Sequence, residues 1–383
     1  MSNIERVVAQ AWRASVDADS GHARGLPNEA YVDEAWFALE QRRLFRSTWM
    51  LVGFVRDVPQ AGDVLPTTVA GCPILLVRDD DGAVRAFHNV CRHRGAILAQ
   101  SAGRGRRVLT CPYHGWTYSL DGKLNRRPHF FGGDRHDPVP SGSQELGLRS
   151  IRCATWNGLL FVDIGGNAVP LDEHLKVASG LLLQYPVEAL RFSTVIEFAI
   201  AANWKLVLEN YTDNYHIFRI HPTLDKTLPM SARQVAITQE SLIWGTMRYE
   251  TPQSGWGTGM PIGPNMPEEM INRSAFIMLF PTCAIQVWDN QLTVLQIIPV
   301  GPDHTEERLH LYFFGDAAHD DEHAGVRNHV VEAWRKVNGE DIAACEQMQI
   351  GRTSPGFDGG ILSPYWDTPT QHFSRLVLEA LIE

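Results

Sequence analysis

What this sequence lacks narrows it first. No apolar run approaches the ~20 residues that cross a bilayer, and the opening stretch Met1 to Gly25 has no apolar core of the kind a secretory leader carries. The expectation is a cytoplasmic protein. Cysteine is scarce, with six in 383 residues (Cys72, Cys91, Cys111, Cys153, Cys283, Cys345). They are not clustered like a disulfide framework, so metal binding or plain burial is the expected use. Positive charge is short as well: 34 Lys and Arg against 44 Asp and Glu leave a formal net charge of -10. That excludes the dense cationic array on which nucleic-acid affinity rests. A dinucleotide fingerprint is also missing. Gly255-Trp256-Gly257-Thr258-Gly259 lacks the strand-turn-helix setting and the later acid, and reads as a flexible loop that could cover the entrance to a site.

What is present describes an ordinary globular chain, 44% hydrophobic and 20% charged, long enough for about two domains with their own cores. We expect three segments: 1-45, a helical segment packing on the C-terminal domain; 46-165, a small all-β unit; and 166-383, an α+β domain with helices on an antiparallel sheet. In the β unit, Pro73 to Val77 and Val84 to Phe87 flank the turn Asp79-Asp80-Asp81-Gly82. Asp121-Gly122 marks a second hairpin, and Gly158 to Val162 a closing strand. Further on come a helix near 171-184, a strand at 192-200, and a helix opening at Asn203, a good N-cap. Trp204, Val207, Leu208, Tyr211 and Tyr215 recur in it at helical spacing. The β-rich stretches 275-286, 291-299 and 307-315 follow, and the chain from about 325 is helical again.

The strongest local signal is Cys91-Arg92-His93, then Cys111-Pro112-Tyr113-His114, with seventeen residues between His93 and Cys111. Two thiolates on one iron and two imidazoles on the other raise the potential of an Fe₂S₂ pair above that of an all-cysteine one. Structural zinc also uses two Cys and two His, but its pairs usually open C-x₂-C or C-x₄-C. Gly95 and Gly115 behind the pairs would let the loops wrap closely around sulfides. The runs C-R-H-R-G-A and C-P-Y-H-G-W resemble the Rieske cluster motifs of the ring-hydroxylating and N-demethylating oxygenases. The resemblance implies a Rieske [2Fe-2S] cluster, with Cys91 and Cys111 on one iron, His93 and His114 on the other, and Trp116 packed beside them.

A cluster alone could belong to a Rieske electron-transfer protein, so the second half has to decide. Asp213, His216 and His221 stand where a helix should be ending, with Asp213 and His216 expected to share a face at i,i+3 and Pro222 to stop the helix. Two histidines and one carboxylate hold a single Fe(II) and leave positions open for O₂ and substrate. Asp341 is the best carboxylate, with Gly339 expected to end one helix and the acid to start the next; Glu340 and Glu346 are rivals. Asn-Trp-Lys, Glu-Asn and Asp-x-x-His-x₄-His are similar to the catalytic helix of the same oxygenases. That likeness implies a helix-grip-like catalytic domain, iron on His216, His221 and Asp341, and a bridging role for Asp213. It also implies a head-to-tail trimer in which the cluster of one protomer serves the iron of the next.

Electrons would come from NAD(P)H through a separate flavin and iron-sulfur reductase. The basic residues Arg104, Arg106, Arg107, Arg126 and Arg127 are either a solvated loop face or a docking spot for an acidic donor. The chain's length and the layout from Trp49 through Gly62-Asp63 are similar to the monooxygenases acting on glycine betaine, choline, carnitine and stachydrine. Hydroxylation of a methyl next to nitrogen, with loss of formaldehyde, is therefore expected, and hydroxylation of an aromatic compound is the alternative. Trp244, Tyr249, Trp256, Phe276, Phe280 and Trp288 are candidates to face a quaternary ammonium, or else to fill the core.

Overall fold

The computed structural model describes residues 2–17, 23–136, 145–227, 230–248 and 256–382. It divides into two compact units, Leu44–Glu173 on the one hand and Met1–Arg43 with His174–Glu383 on the other. The first is all-β. A six-stranded antiparallel sheet runs in the order β1 (Met50–Phe54), β9 (Leu159–Asp163), β8 (Ser150–Trp156), β4 (Val84–His88), β3 (Cys72–Arg78), β2 (Val64–Val69). A three-stranded sheet is made by β5 (Leu109–Thr110), β6 (Thr117–Tyr118) and β7 (Leu124–Arg126). Ile74 to Val77 are wholly buried, as expected of a strand covered on both faces. Leu75, Val77, Phe87, Leu109, Trp116, Tyr118 and Leu124 form one core, and Cys91 and Cys111 are part of it.

The second unit begins with α1 (Asn3–Asp17), α2 (Glu29–Val32) and α3 (Glu34–Glu40), resumes at His174, the last residue of α4 (Leu171–His174), and continues through α5 (Lys176–Leu182), the long strand β10 (Leu190–Ile200), α6 (Trp204–Thr212), α7 (Ile217–Ile220) and α8 (Pro222–Thr227). Six more strands follow, β11 (Ile237–Gln239), β12 (Leu242–Arg248), β13 (Arg273–Leu279), β14 (Cys283–Trp288), β15 (Gln291–Gly301) and β16 (His304–Phe314), then α9 (Ala324–Gly351) and α10 (Thr368–Ile382). The sheet is antiparallel, in the order β10-β16-β15-β14-β13-β12-β11. No helix among the described residues is long and apolar enough to cross a membrane.

Several expectations need correction. The run 275-286 is two strands, because Pro281 has no N–H to continue a ladder and the chain turns at Phe280-Pro281-Thr282. The helix opened by Asn203 ends at Thr212, so Tyr215 is outside it, and Pro222 begins α8 where it was expected to end a helix. Proline suits that first position because its missing N–H would be unpaired there anyway. Gly339 breaks nothing: α9 is a continuous 28-residue helix. A glycine inside a helix costs only about 1 kcal/mol, which a helix with a buried face from Val330 to Gln349 can absorb.

Candidate metal centres

The cluster motifs occupy two loops of the same shape. Cys91 N–H donates to Ala96 O (2.8 Å) and Gly95 N–H to Cys91 O (3.1 Å); Cys111 N–H donates to Trp116 O (2.8 Å) and Gly115 N–H to Cys111 O (3.1 Å). Both glycines sit at positive φ, +77° and +68°, a conformation other residues rarely adopt. Each loop therefore buries its cysteine and exposes its histidine. The His93 and His114 rings are 4.5 Å apart, and His93 stacks on Trp116 at 4.8 Å with 4° between planes. Cys91 Sγ is 3.3 Å from the Tyr118 hydroxyl, which also accepts from Arg92 N–H (3.1 Å). All six cysteines are free thiols. Two buried, unpaired thiols with two adjacent imidazoles above them are the donor set an iron-sulfur pair takes. Burial pushes the Cys91 thiol up and the nearby Cys111 adds to this, so a bare Cys91 thiolate is disfavoured and a cationic metal would relieve it.

In the second unit the candidate ligands converge. His216, His221 and Asp341 each offer an atom, and these lie within 4.8 Å of one another. The histidines come from the break between helices and the acid from α9. Asp341 Oδ1 is 2.8 Å from His221 Nε2 and 3.4 Å from His216 Nε2. The far side of each ring is also held: His216 Nδ1 is 3.1 Å from Asp213 Oδ2, and His221 Nδ1 is 2.7 Å from Glu340 Oε2. Asp213 does not share a helix face with His216. It follows the last turn of α6 with extended φ and ψ, and its carboxylate accepts the backbone N–H of Tyr215 (2.5 Å) and His216 (3.3 Å). That turn aims His216 back toward Asp341.

The electrostatics match a cation. Burial lowers the His216 pKa, but hydrogen bonds to Asp213 and Asp341 outweigh it and bring the ring up to about 9. His221 is raised in the same way, burial notwithstanding, by Asp341 and Glu340. Burial raises Asp341, yet its two histidine partners hold the carboxyl below the ordinary range. Three carboxylates around two rings fit a divalent ion with two nitrogen ligands and one oxygen ligand, each ring's other nitrogen oriented by an acid.

Of the rivals to Asp341, Glu340 grips the opposite nitrogen of His221, and Glu346 accepts the Ala201 N–H at 3.0 Å. A cavity of about 180 Å³ opens on the three candidate ligands, lined also by Tyr211, Trp256, Phe276, Trp288, Trp334 and Asn338. Trp244 and Phe280, which we expected as pocket aromatics, are not among the lining residues; Phe280 packs on Phe373. Tyr249 is outside the described residues, as is Gly255 of the glycine-rich loop, while Trp256 of that loop does line the cavity. Trp334 escaped the sequence reading, although Trp334, Asn338, Asp341 and Cys345 recur at helical spacing on one buried face of α9.

A mixed-ligand iron-sulfur unit together with a two-histidine, one-carboxylate site defines a Rieske non-haem iron oxygenase. The ring hydroxylating alpha subunit (catalytic domain) family matches residues 185–383 and the Rieske [2Fe-2S] domain family matches residues 48–132. The chain belongs to the ring-hydroxylating alpha subunits. It is 29% identical over 370 residues to the glycine betaine monooxygenase oxygenase subunit of Chromohalobacter salexigens, covering 88% of this chain and 81% of that one. It is 27% identical over 349 residues to the carnitine monooxygenase oxygenase subunit of Escherichia coli K12, covering 89% and 88%. In fold it is similar to a crystal structure of the quaternary ammonium Rieske monooxygenase CntA in complex with an inhibitor. There the TM-score is 0.78 at 23% identity, over 96% of this chain and 98% of that one.

Proposed function

We propose that this oxygenase hydroxylates a methyl group of a quaternary ammonium compound of the betaine type, which then loses formaldehyde. The observation that carries the reading is the aromatic wall beside the iron ligands. Trp256 and Trp288 lie near parallel, 6.0 Å apart, and Trp334 stands edge-on to both at 5.0 and 6.1 Å. Ring faces attract a cation that cannot donate hydrogen bonds. Among the described lining residues none is Lys or Arg. The names of the two relatives point to the same substrate class.

We assign Cys91 and Cys111 to one cluster iron, His93 and His114 to the other, and His216, His221 and Asp341 to the mononuclear iron. The cluster relays single electrons and the lone iron supplies O₂ activation. Asp213 and Glu340 orient the two histidines, and the tryptophans place the substrate methyl. Protomers form a head-to-tail homotrimer in the cytoplasm, and Asp213 meets a cluster histidine across the contact. Electrons come from NAD(P)H through a separate flavin and iron-sulfur reductase, and the exposed Arg107 and Arg126 suit an acidic donor. Arg104 is already engaged by Asp63 at 2.9 Å.

The test supplies the iron-loaded chain, a generic reductase and NADH with a panel of betaines and aromatic acids, and follows O₂ uptake and formaldehyde. Formaldehyde from a betaine supports the reading. Oxygen uptake confined to aromatic acids overturns it.

A further inference from the structure

Behind the iron ligands, three side chains hold more protons than an ionised acid would allow. Tyr211 of α6, Glu307 of β16 and Asn338 of α9 form a closed triangle. The Tyr211 hydroxyl oxygen is 2.6 Å from Glu307 Oε1 and 2.7 Å from Asn338 Oδ1, and Asn338 Nδ2 is 2.7 Å from the same Glu307 Oε1. Contacts this short between electronegative atoms each need a proton. Tyr211 has one to give, and the amide nitrogen, facing a single partner, gives one. Exchanging the amide's oxygen and nitrogen moves these protons around the triangle without changing their number. The third must sit on the Glu307 carboxyl, because an ionised Glu307 would leave two buried acceptors face to face.

The surroundings agree. Glu307 is 1% exposed. The groups that face it are Tyr211 from α6 and Asn338, Asp341 and Cys345 from α9, while Phe198 of β10 and Ile297 of β15 sit opposite it in the sheet. None of these is a cation. Burial and, after it, the Asp341 carboxylate push the Glu307 pKa up to about 7, against the pull of the two hydrogen bonds. Tyr211 and Asn338 line the cavity that holds His216, His221 and Asp341.

We infer that Glu307 stores a proton behind this cavity and passes it forward through Tyr211 during turnover. The inference rests on the oxygenase reading but not on the identity of the substrate. Conversion of a C–H bond and O₂ to an alcohol and water consumes two electrons, which the reductase supplies, and two protons. In the step assigned here the Glu307 O–H bond breaks and its proton moves to the Tyr211 oxygen. Tyr211 releases its own proton into the cavity, toward the oxygen atom that leaves as water. Between turnovers the reverse passage, from cavity water through Tyr211, protonates Glu307 again.

Glu307→Gln is the test, because an amide N–H replaces the acid O–H and the proton count of the triangle is kept. Infrared spectra of the full-length iron-loaded chain near pH 6 should contain a protonated-carboxyl carbonyl band that the substitution removes, and that Tyr211→Phe shifts but does not abolish. Whichever panel compound the chain oxidises then serves for turnover, so a wrong substrate class leaves the comparison intact. With iron content unchanged, both variants should lose product formation by about a hundredfold, at the low end of what a positioned acid contributes, and should divert O₂ to peroxide. Absence of the carboxyl band in the parent chain overturns the stored proton. Undiminished product per O₂ in Glu307→Gln overturns the relay.

Discussion

Glu340 Oε2 lies 2.7 Å from Nδ1 of His221, so the acid next to Asp341 in sequence fixes which nitrogen of that ring can face Asp341. On the proposed assignment Glu340 orients a ligand without being one. Glu340→Ala should therefore fold normally and bind Fe(II) more weakly by about 10- to 100-fold, as removal of an orienting partner usually does. Asp341→Ala should lose the mononuclear iron altogether. Titration calorimetry with Fe(II) under anaerobic conditions separates the two, and equal affinity in Glu340→Ala and the parent would show the contact to be idle.

Asp213 has two jobs, and its amide variant splits them. Its Oδ1 accepts the Tyr215 backbone N–H, which an asparagine side-chain oxygen can also do, while its Oδ2 takes the longer bond from the His216 backbone. The contact with His216 Nδ1 at 3.1 Å and the proposed reach to a cluster histidine of the neighbouring protomer need the acid. Asp213→Asn should keep all three irons per chain, as measured by elemental analysis, while product formation falls steeply. Wild-type turnover in that variant would remove the bridging assignment.

The Tyr118 hydroxyl lies 3.3 Å from Sγ of Cys91, a proposed cluster ligand. A hydrogen bond to a ligating sulfur favours the reduced, more negative cluster and raises its potential. Tyr118→Phe should retain the cluster and titrate at a more negative potential. Redox titration followed by paramagnetic resonance decides it, and an unchanged potential would mean that the hydroxyl points its proton elsewhere.

The legibility of these sites follows from how local each constraint is. Cys91-x-His93 and Cys111-x-x-His114 each lie on one tight loop that supplies its own backbone hydrogen bonds, so the spacing already contains the geometry. Asp341 is the carboxylate the sequence favours over Glu340 and Glu346, and its carboxylate does meet both histidines, yet its setting differs from the expectation because Gly339 reads as a break. The helix continues there because a buried face running from Val330 through Trp334 and Asn338 outweighs the cost of one glycine. Glu307 could not be found in the sequence. It is one acid on a strand of alternating polarity, and only the folded contact with Tyr211 and Asn338, 96 and 31 residues away, distinguishes it from Glu306.

Lys205 shows how the N-terminal segment bears on the site. Its ammonium is fully buried and 2.6 Å from Glu40 of α3, whose carboxylate also accepts from Trp36 Nε1 (3.0 Å) and Trp204 Nε1 (2.9 Å). Burial pulls the lysine down and pushes the acid up, and each is held charged by the other. Removing one partner strands a buried charge, which typically costs about 3–5 kcal/mol. Glu40→Ala should be that much less stable in denaturant titrations, and Glu40→Leu with Lys205→Met should recover most of the loss. If the double variant were no more stable than Glu40→Ala, packing rather than the stranded charge would be the cause.

The stored proton on Glu307 also predicts how stability varies with pH. Its carboxyl titrates at about 7 in the folded chain, against an ordinary 4.5. Between those values the unfolded carboxyl is ionised while the folded one stays neutral, so the unfolded state binds fewer protons and folding stability falls as pH rises. The loss is complete above about 7 and amounts to roughly 3 kcal/mol for a gap of this size. Glutamine does not titrate and carries none of this penalty. Glu307→Gln should therefore match the parent chain near pH 4.5 and exceed its stability increasingly up to pH 7.5, even though product formation is lost. Urea unfolding of the two chains at matched pH values isolates the effect, because every other titrating group is common to both. A stability difference that stays constant across this range would mean that Glu307 is ionised in the folded protein and that the triangle is short of a proton after all.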